Sequence, residues 1–253
     1  MTVTDVNVVK SAIFERPDDA NKGTLGSLLC VCGSYGMAGA AVMSAKGALR
    51  TGIGLAKCAL PRSIYPIVAQ TILESVYYSL NENADGRISK VNVPFLVSES
   101  CKSSATLVGC GLGVCDDTLK IVFSLIENST TPLVLDADAL NCVAKQPEIL
   151  LRKKAPIIIT PHPGEMSRLT GLATPLVNAE RERVALDFAQ KYGVVTVLKG
   201  AGTVIASPNG KVLVNPTGNS GMATGGSGDV LAGMTASILA QGASAFSSAA
   251  AAV

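Results

Sequence analysis

The chain of 253 residues has no tryptophan, a single histidine and only 4% aromatic residues. Charge is scarce as well. Charged residues make up 16%, against roughly 25% in an average domain. The net charge is only +2, so there is no strong positive excess to neutralise phosphates, which argues against electrostatic nucleic-acid binding. One histidine and no C-x-x-C pair argue against zinc ligation. There is no Walker loop, no G-x-S-x-G and no H-E-x-x-H. The N-terminal stretch MTVTDVNVVKSAIFERPDD lacks a basic segment leading into an apolar one, so no secretory signal is expected.

What the sequence does have is apolar residues (48%) and glycine (25 residues). High apolar content with low net charge excludes disorder. The length suits one domain, taken as residues 1–253. The seven cysteines, Cys30, Cys32, Cys58, Cys101, Cys110, Cys115 and Cys142, fall mostly in apolar runs. An odd count without paired spacing reads as reduced core thiols in a cytoplasmic protein. After Asp229 no charged residue occurs, but the 24 residues from Val230 to Val253 are rich in Ala, Ser and Gly. A buried helix pair fits them better than a membrane span.

Short apolar runs alternate with segments of helical length. Expected strands are Leu28–Cys32, Gly54–Leu60, Ser75–Leu80, Ala105–Val108, Pro132–Asp136, Pro156–Thr160 and Val194–Leu198. Expected helices are Ala38–Arg50, Asp117–Asn128, Asp138–Leu151, Asn178–Lys191 and Asp229–Gln241. Thr203–Ala206 and Lys211–Val214 flank Ser-Pro-Asn-Gly and read as a β-hairpin. Strands without polar alternation suit a parallel sheet covered on both faces, so the class is α/β.

Six segments carry possible chemistry. GGSGD, Gly225 to Asp229, opens a helix; glycine amides and the positive helix end suit a phosphate, while Asp229 alone would suit an N-cap. KGAGT, Lys199 to Thr203, follows a strand, where ligands collect in α/β sheets. TPHPGE, Thr160 to Glu165, holds the only histidine, His162. Glu165 is either a first-turn carboxylate or a Mg²⁺ holder acting through water. LDADALN places Asp136 at a strand end and Asp138 as an N-cap. CGSYGMAGAA (Cys32–Ala41) and GCGLG (Gly109–Gly113) are Gly turns without the G-x-G-x-x-G spacing, so a dinucleotide fingerprint is rejected.

Together with KGTLG (Lys22–Gly26) and NPTGNSGMATGGSGDVLAGM, these motifs resemble the ADP-dependent NAD(P)H-hydrate dehydratase family. GSGD is similar to the G-x-G-D signature of ribokinase-like kinases, and HPGE stands where many of them carry N-x-x-E. The resemblance runs from about Lys22 to the last residue. It implies a ribokinase-like fold and a lyase repairing the S-epimer of hydrated NADH or NADPH, with ADP or ATP as co-substrate and Mg²⁺ as cofactor. It implies Asp229 as catalytic base. Ala40, Gly113 and His162, with Asp229, would contact the hydrated dinucleotide. Lys199, Gly200, Ala201, Gly202 and Thr203, with Gly228, would hold the AMP part, and the amides of Gly226, Ser227 and Gly228 the phosphoryl group. Glu165 is the metal candidate. The resemblance further implies a homotetramer, a cytoplasmic location and a separate epimerase, with no nucleic-acid or membrane partner. The chain departs from the family at Asn21 (often His), at Cys110 (commonly Pro) and in ending where relatives continue. A small-alcohol kinase of thiazole or pyridoxine type, or a non-catalytic nucleotide-binding protein, are the competing readings.

Overall fold

The computed structural model describes residues 6–13 and 15–253. Nine strands form one sheet: β1 (Ser27–Val31), β2 (Leu55–Pro61), β3 (Val76–Leu80), β4 (Ala105–Val108), β5 (Leu133–Leu135), β6 (Ile157–Ile159), β7 (Val195–Leu198), β8 (Thr203–Ala206) and β9 (Val212–Asn215). Their order is β3-β2-β1-β4-β5-β6-β7-β8-β9. β1 to β7 run parallel, and the β8–β9 hairpin closes one edge antiparallel. The α/β class is as expected. The hairpin turn is too, with the Gly210 amide donating to the Ser207 carbonyl at 3.1 Å.

Successive strand residues face opposite layers. Leu28 and Cys30 join the core under one set of helices, Leu29 and Val31 the core under the other. The first layer holds α2 (Ala38–Arg50), α3 (Tyr65–Thr71), α10 (Ser227–Ala240) and α11 (Ala245–Ala252). The second holds α4 (Val93–Cys101), α5 (Asp116–Asn128), α6 (Asp138–Val143), α7 (Pro163–Thr170), α8 (Thr174–Ala179) and α9 (Arg181–Tyr192). α1 (Val6–Ala12) lies against α11. Because both faces are covered, the central strands tolerate unbroken apolar sequence.

Three helix expectations needed correction. The helix expected over 138–151 stops at Val143; Pro147 then starts a separate 3₁₀ turn, Pro147–Arg152. A proline there lacks the N–H and blocks the preceding carbonyl, so one continuous helix is excluded. The helix expected over 178–191 is two helices, broken at Glu180, whose φ and ψ of −126° and 41° leave the helical region. Asp138 is not an N-cap: Ala137 holds that position, and Asp138 is the first helical residue. The uncharged C-terminal stretch is a helix pair, α10 and α11, parted at Gly242 with φ +103°. No helix among the described residues is long and apolar enough to cross a membrane.

The two helices behind the Gly-rich loop pack almost backbone to backbone. A Cβ on Gly47 of α2 would lie 2.7 Å from the Val230 carbonyl oxygen of α10. One on Gly233 of α10 would collide with the Ser44 carbonyl of α2. Glycine at both crossing points sets the interhelical distance and hence the height of Asp229 above the sheet. Gly233→Ala should therefore lower stability by about 1–3 kcal/mol through overpacking, seen as a reduced urea midpoint with unchanged slope. An unaltered midpoint would show that these backbones are not in contact.

Candidate active site

The sheet order places β1 beside β4, and their onward connections leave in opposite directions. Such a switch point opens a crevice at the carboxyl ends of the strands. Here the loops after β1 and β4 are tied together. The Gly33 amide donates to the Cys110 carbonyl at 2.8 Å, and the Ser34 hydroxyl to the Gly111 carbonyl at 2.8 Å. Ala40, near the start of α2, packs against this joint, 2.7 Å from where a Gly111 Cβ would stand. Gly113 donates its amide to the Asp138 carboxylate at 2.8 Å, and the Arg87 side chain lies against it.

The next three strand ends, together with Cys110 after β4, contribute a buried polar cluster. Asp136, directly after β5, is 2% exposed. Its Oδ1 accepts from the Thr160 hydroxyl at 2.7 Å and from Lys199 Nζ at 2.8 Å. The Cys110 thiol donates to its Oδ2 at 3.7 Å. Lys199 Nζ also lies 3.9 Å from Glu165 Oε2. Burial disfavours the Lys199 charge, yet the carboxylates of Asp136 and Glu165 hold it above its ordinary pKa, so the ammonium persists.

α10 brings the Gly-rich loop onto this cluster. Gly226, with φ +93°, is its N-cap, and Asp229 lies in the first turn. The first amides of a helix lack intrahelical partners; the Ser227 amide donates to the Thr224 carbonyl at 3.5 Å, while those of Gly228 and Asp229 stand at the N-terminal end of α10 with the dipole behind them. The Ser227 hydroxyl is directed to the carbonyls of Met222 and Thr224, fastening the preceding loop. A Cβ on Gly228 would be 3.5 Å from Lys199 Nζ, so the GGSGD and KGAGT segments meet. Asp229 is pushed up to about 6, first by burial and then by the negative charge of Asp136.

In KGAGT, Gly200 (φ +150°) and Gly202 (φ +68°) take conformations that favour glycine. The Thr203 hydroxyl donates to the Gly200 carbonyl at 2.9 Å, closing the loop on itself. Beneath it lies Arg181, which no motif singles out. Its Nη2 donates to the Leu198 carbonyl at 2.8 Å, and its guanidinium fills the space a Gly200 Cβ would need. Its Nε has no hydrogen-bond partner. The neighbouring Glu180 and Asp187 are taken by Arg183. Two cations, Lys199 in the loop and Arg181 beneath it, therefore stand at this site.

His162 and Glu165 form a reciprocal cap on α7. His162 Nδ1 accepts from the amides of Gly164 and Glu165 at 3.0 and 3.3 Å, while Glu165 Oε2 accepts from the His162 amide at 2.8 Å. Burial and the Lys199 charge lower the His162 pKa, so the ring is neutral near pH 7. Glu165 Oε1 faces His162 Nε2 at 3.3 Å. Glu165 Oε2 is engaged by the His162 amide and lies near Lys199, while Oε1 has no hydrogen bond to the neutral ring, which leaves an oxygen that could reach a Mg²⁺ through water.

The pairing of Lys199 with Asp136 generates a stability test. Lys199→Met leaves a buried carboxylate without its counter-ion, and such losses cost about 3–5 kcal/mol. Urea denaturation at pH 7 should show that loss. A change below about 1 kcal/mol would place the pair among solvent-screened surface pairs instead.

Known proteins resemble this chain in sequence and fold. A family model described as NAD(P)H-hydrate dehydratase matches residues 28–253. A bifunctional NAD(P)H-hydrate repair enzyme of Moorella thermoacetica is 39% identical over 233 residues, covering 92% of this chain and 44% of that protein. The chain therefore spans about half the length of such relatives. Among solved structures, an ADP/ATP-dependent NAD(P)H-hydrate dehydratase from Bacillus subtilis, co-crystallised with ATP and Mg²⁺, superposes with TM-score 0.84 at 30% identity, covering 99% of this chain and 85% of that one. A ribokinase-like superfamily protein of Enterococcus faecalis V583 gives TM-score 0.84 at 24% identity, with coverage of 99% and 84%, and speaks to the fold alone. The fold is ribokinase-like, and with the family model matched over nearly its whole length the chain belongs to the NAD(P)H-hydrate dehydratase family.

Proposed function

We propose that the chain dehydrates the S-epimer of hydrated NADH or NADPH, consuming ADP and releasing NAD(P)H, AMP and phosphate. One observation carries the mechanism: Asp229 stands in the first turn of α10, beside the Gly226–Gly228 amides and against the buried Asp136–Lys199 pair. A proton acceptor and a phosphate cradle therefore share one helix end.

Hydroxide is a poor leaving group, and phosphate is a good one. Asp229 takes the proton of the ring hydroxyl as its oxygen attacks the terminal phosphorus of ADP, and AMP departs. The amides of Gly226, Ser227 and Gly228 stabilise the charge on the transferring group. The ring-nitrogen lone pair then expels phosphate, and loss of a proton from the adjacent carbon restores the double bond. Lys199 to Thr203, with Gly228, hold the AMP part, backed by Arg181. Ala40, Gly113 and His162 line the dinucleotide side. Mg²⁺, arriving with the nucleotide, would neutralise phosphate charge. Homotetramer formation, a cytoplasmic setting and a separate epimerase belong to the same reading. The small-alcohol kinase reading has less behind it, since the family match is to dehydratases.

The test offers hydrated NADH with ADP or ATP and Mg²⁺ and follows reduced-nicotinamide absorbance. Recovery is expected; none with either nucleotide would sink the proposal. Asp229→Asn should cut turnover at least about a hundredfold, in the range of lost general-base catalysis, while nucleotide affinity stays within a few-fold. Loss of nucleotide binding instead would make Asp229 a structural cap.

The base must be ionised to act. Asp229 is protonated below about 6 and free above it. The kcat/KM profile should accordingly fall with unit slope on the acid side of about pH 6. A flat profile down to pH 4.5 would remove Asp229 from the proton transfer.

A further inference from the structure

We propose that Cys110, Asp136 and Asp229 form a binding site for a thiophilic divalent cation of the zinc class, overlapping the base that the dehydration would use. Each residue offers one ligand atom, and the three atoms lie within 4.8 Å of one another. Cys110 and Asp136 are buried, and Asp229 opens the group toward the crevice.

One donor pair has the spacing of an edge in a metal polyhedron. Cys110 Sγ and Asp136 Oδ2 are 3.7 Å apart. In tetrahedral zinc, bonds of about 2.3 Å to sulfur and 2.0–2.2 Å to oxygen give an S–O edge of about 3.5–3.7 Å. Asp136 is already oriented for the task. Thr160 and Lys199 occupy Oδ1, turning Oδ2 toward the thiol, as outer partners orient ligands in metal sites. A divalent ion and the Lys199 ammonium together offset three anionic ligands. Water fills the fourth position. On uptake the Cys110 proton leaves to solvent, with that of Asp229 where it is still bound.

The donor set also selects. Mg²⁺ takes hard oxygen ligands and sheds water reluctantly, whereas thiolate favours zinc, cadmium or cobalt. The site is therefore separate from any Mg²⁺ accompanying the nucleotide. It exists because position 110 carries a thiol.

The experiment titrates Co²⁺ or Cd²⁺ into the protein without nucleotide and reads the thiolate-to-metal charge-transfer band. Saturation at one equivalent is expected. The band should vanish in Cys110→Ser and in Cys110→Ala, two variants checked for folding by circular dichroism. It should weaken in affinity at least about tenfold in Asp229→Asn. It should survive Cys101→Ser/Cys115→Ser, which removes the two partly exposed thiols. A missing band, a band that outlives Cys110, or a band lost with Cys101 and Cys115 overturns the proposal. The inhibitory consequence rests on the dehydratase reading: one equivalent of Zn²⁺ should then abolish turnover. The absorption band decides the metal site by itself, because it requires no turnover, so failure of the dehydratase reading would be recognised separately.

Discussion

The buried ion pair between Lys199 and Asp136 is the interaction on which the site depends. The two side chains are 18% and 2% exposed and meet at 2.8 Å. Neither charge is tolerable alone at that depth, so each requires the other together with added hydrogen bonds. Thr160 supplies one of them. The pair gathers the carboxyl ends of β5, β6 and β7 at a single point. Through Glu165 it reaches the cap of α7, and through Gly228 it reaches the first turn of α10. It also sets the electrostatics. The charge of Asp136 helps raise Asp229, while Lys199 opposes that rise and adds to the burial that lowers the His162 pKa. One pair thus fixes geometry and proton affinity together.

Much of this was legible in the chain. β4 spans the expected residues, as does α2, and the other six expected central strands are displaced by one residue at most ends. Apolar β-branched runs bounded by Gly, Pro or Asp leave little choice of period. The KGAGT, TPHPGE, LDADALN, CGSYG and GCGLG segments were expected at strand ends, and they lie there because parallel strands deliver their loops to one edge, while GGSGD opens a helix as expected. The failures are equally physical. The α8–α9 break has no strong signal in NAER. Asp136 and Lys199 are 63 residues apart, and no local pattern announces that they pair. Arg181 reads as a helix-surface residue until β7 is placed beside it. Glu165 reads as an open carboxylate until the His162 amide takes one of its oxygens and Lys199 approaches it. What a residue can do is visible in sequence, whereas what has already been spent on its neighbours is not.

The glycine excess follows the same logic. Eight glycines fall between Gly23 and Gly54 and nine between Gly200 and Gly233, so 17 of the 25 lie in two windows. At Gly109 (φ +125°) a Cβ would strike the Asp136 carbonyl. Two strand ends can approach that closely only because residue 109 has no side chain. With few charged side chains to spend, this chain relies on close backbone approach and helix ends to face a ligand.

Ala137 carries the complementary constraint. It is the one non-glycine at positive φ among the described residues, with φ 48° and ψ −112°. Such a conformation costs about 1–3 kcal/mol and persists only where its surroundings over-determine it. Here they do. The Asp136 amide donates to the Val108 carbonyl at 3.1 Å, the Asp138 amide to the Gly109 carbonyl at 3.3 Å, and the Ala139 amide to the Asp136 carbonyl at 3.0 Å. A relaxed turn would send the two aspartates along one course. The strained one splits them: Asp136 turns down to Lys199 and Cys110, and Asp138 turns outward to the Gly113 amide. Glycine at 137 would ease the strain but widen the conformations open to the unfolded chain and to this turn. An alanine held there by three backbone hydrogen bonds keeps both carboxylates aimed, so the strain is part of how the crevice is built.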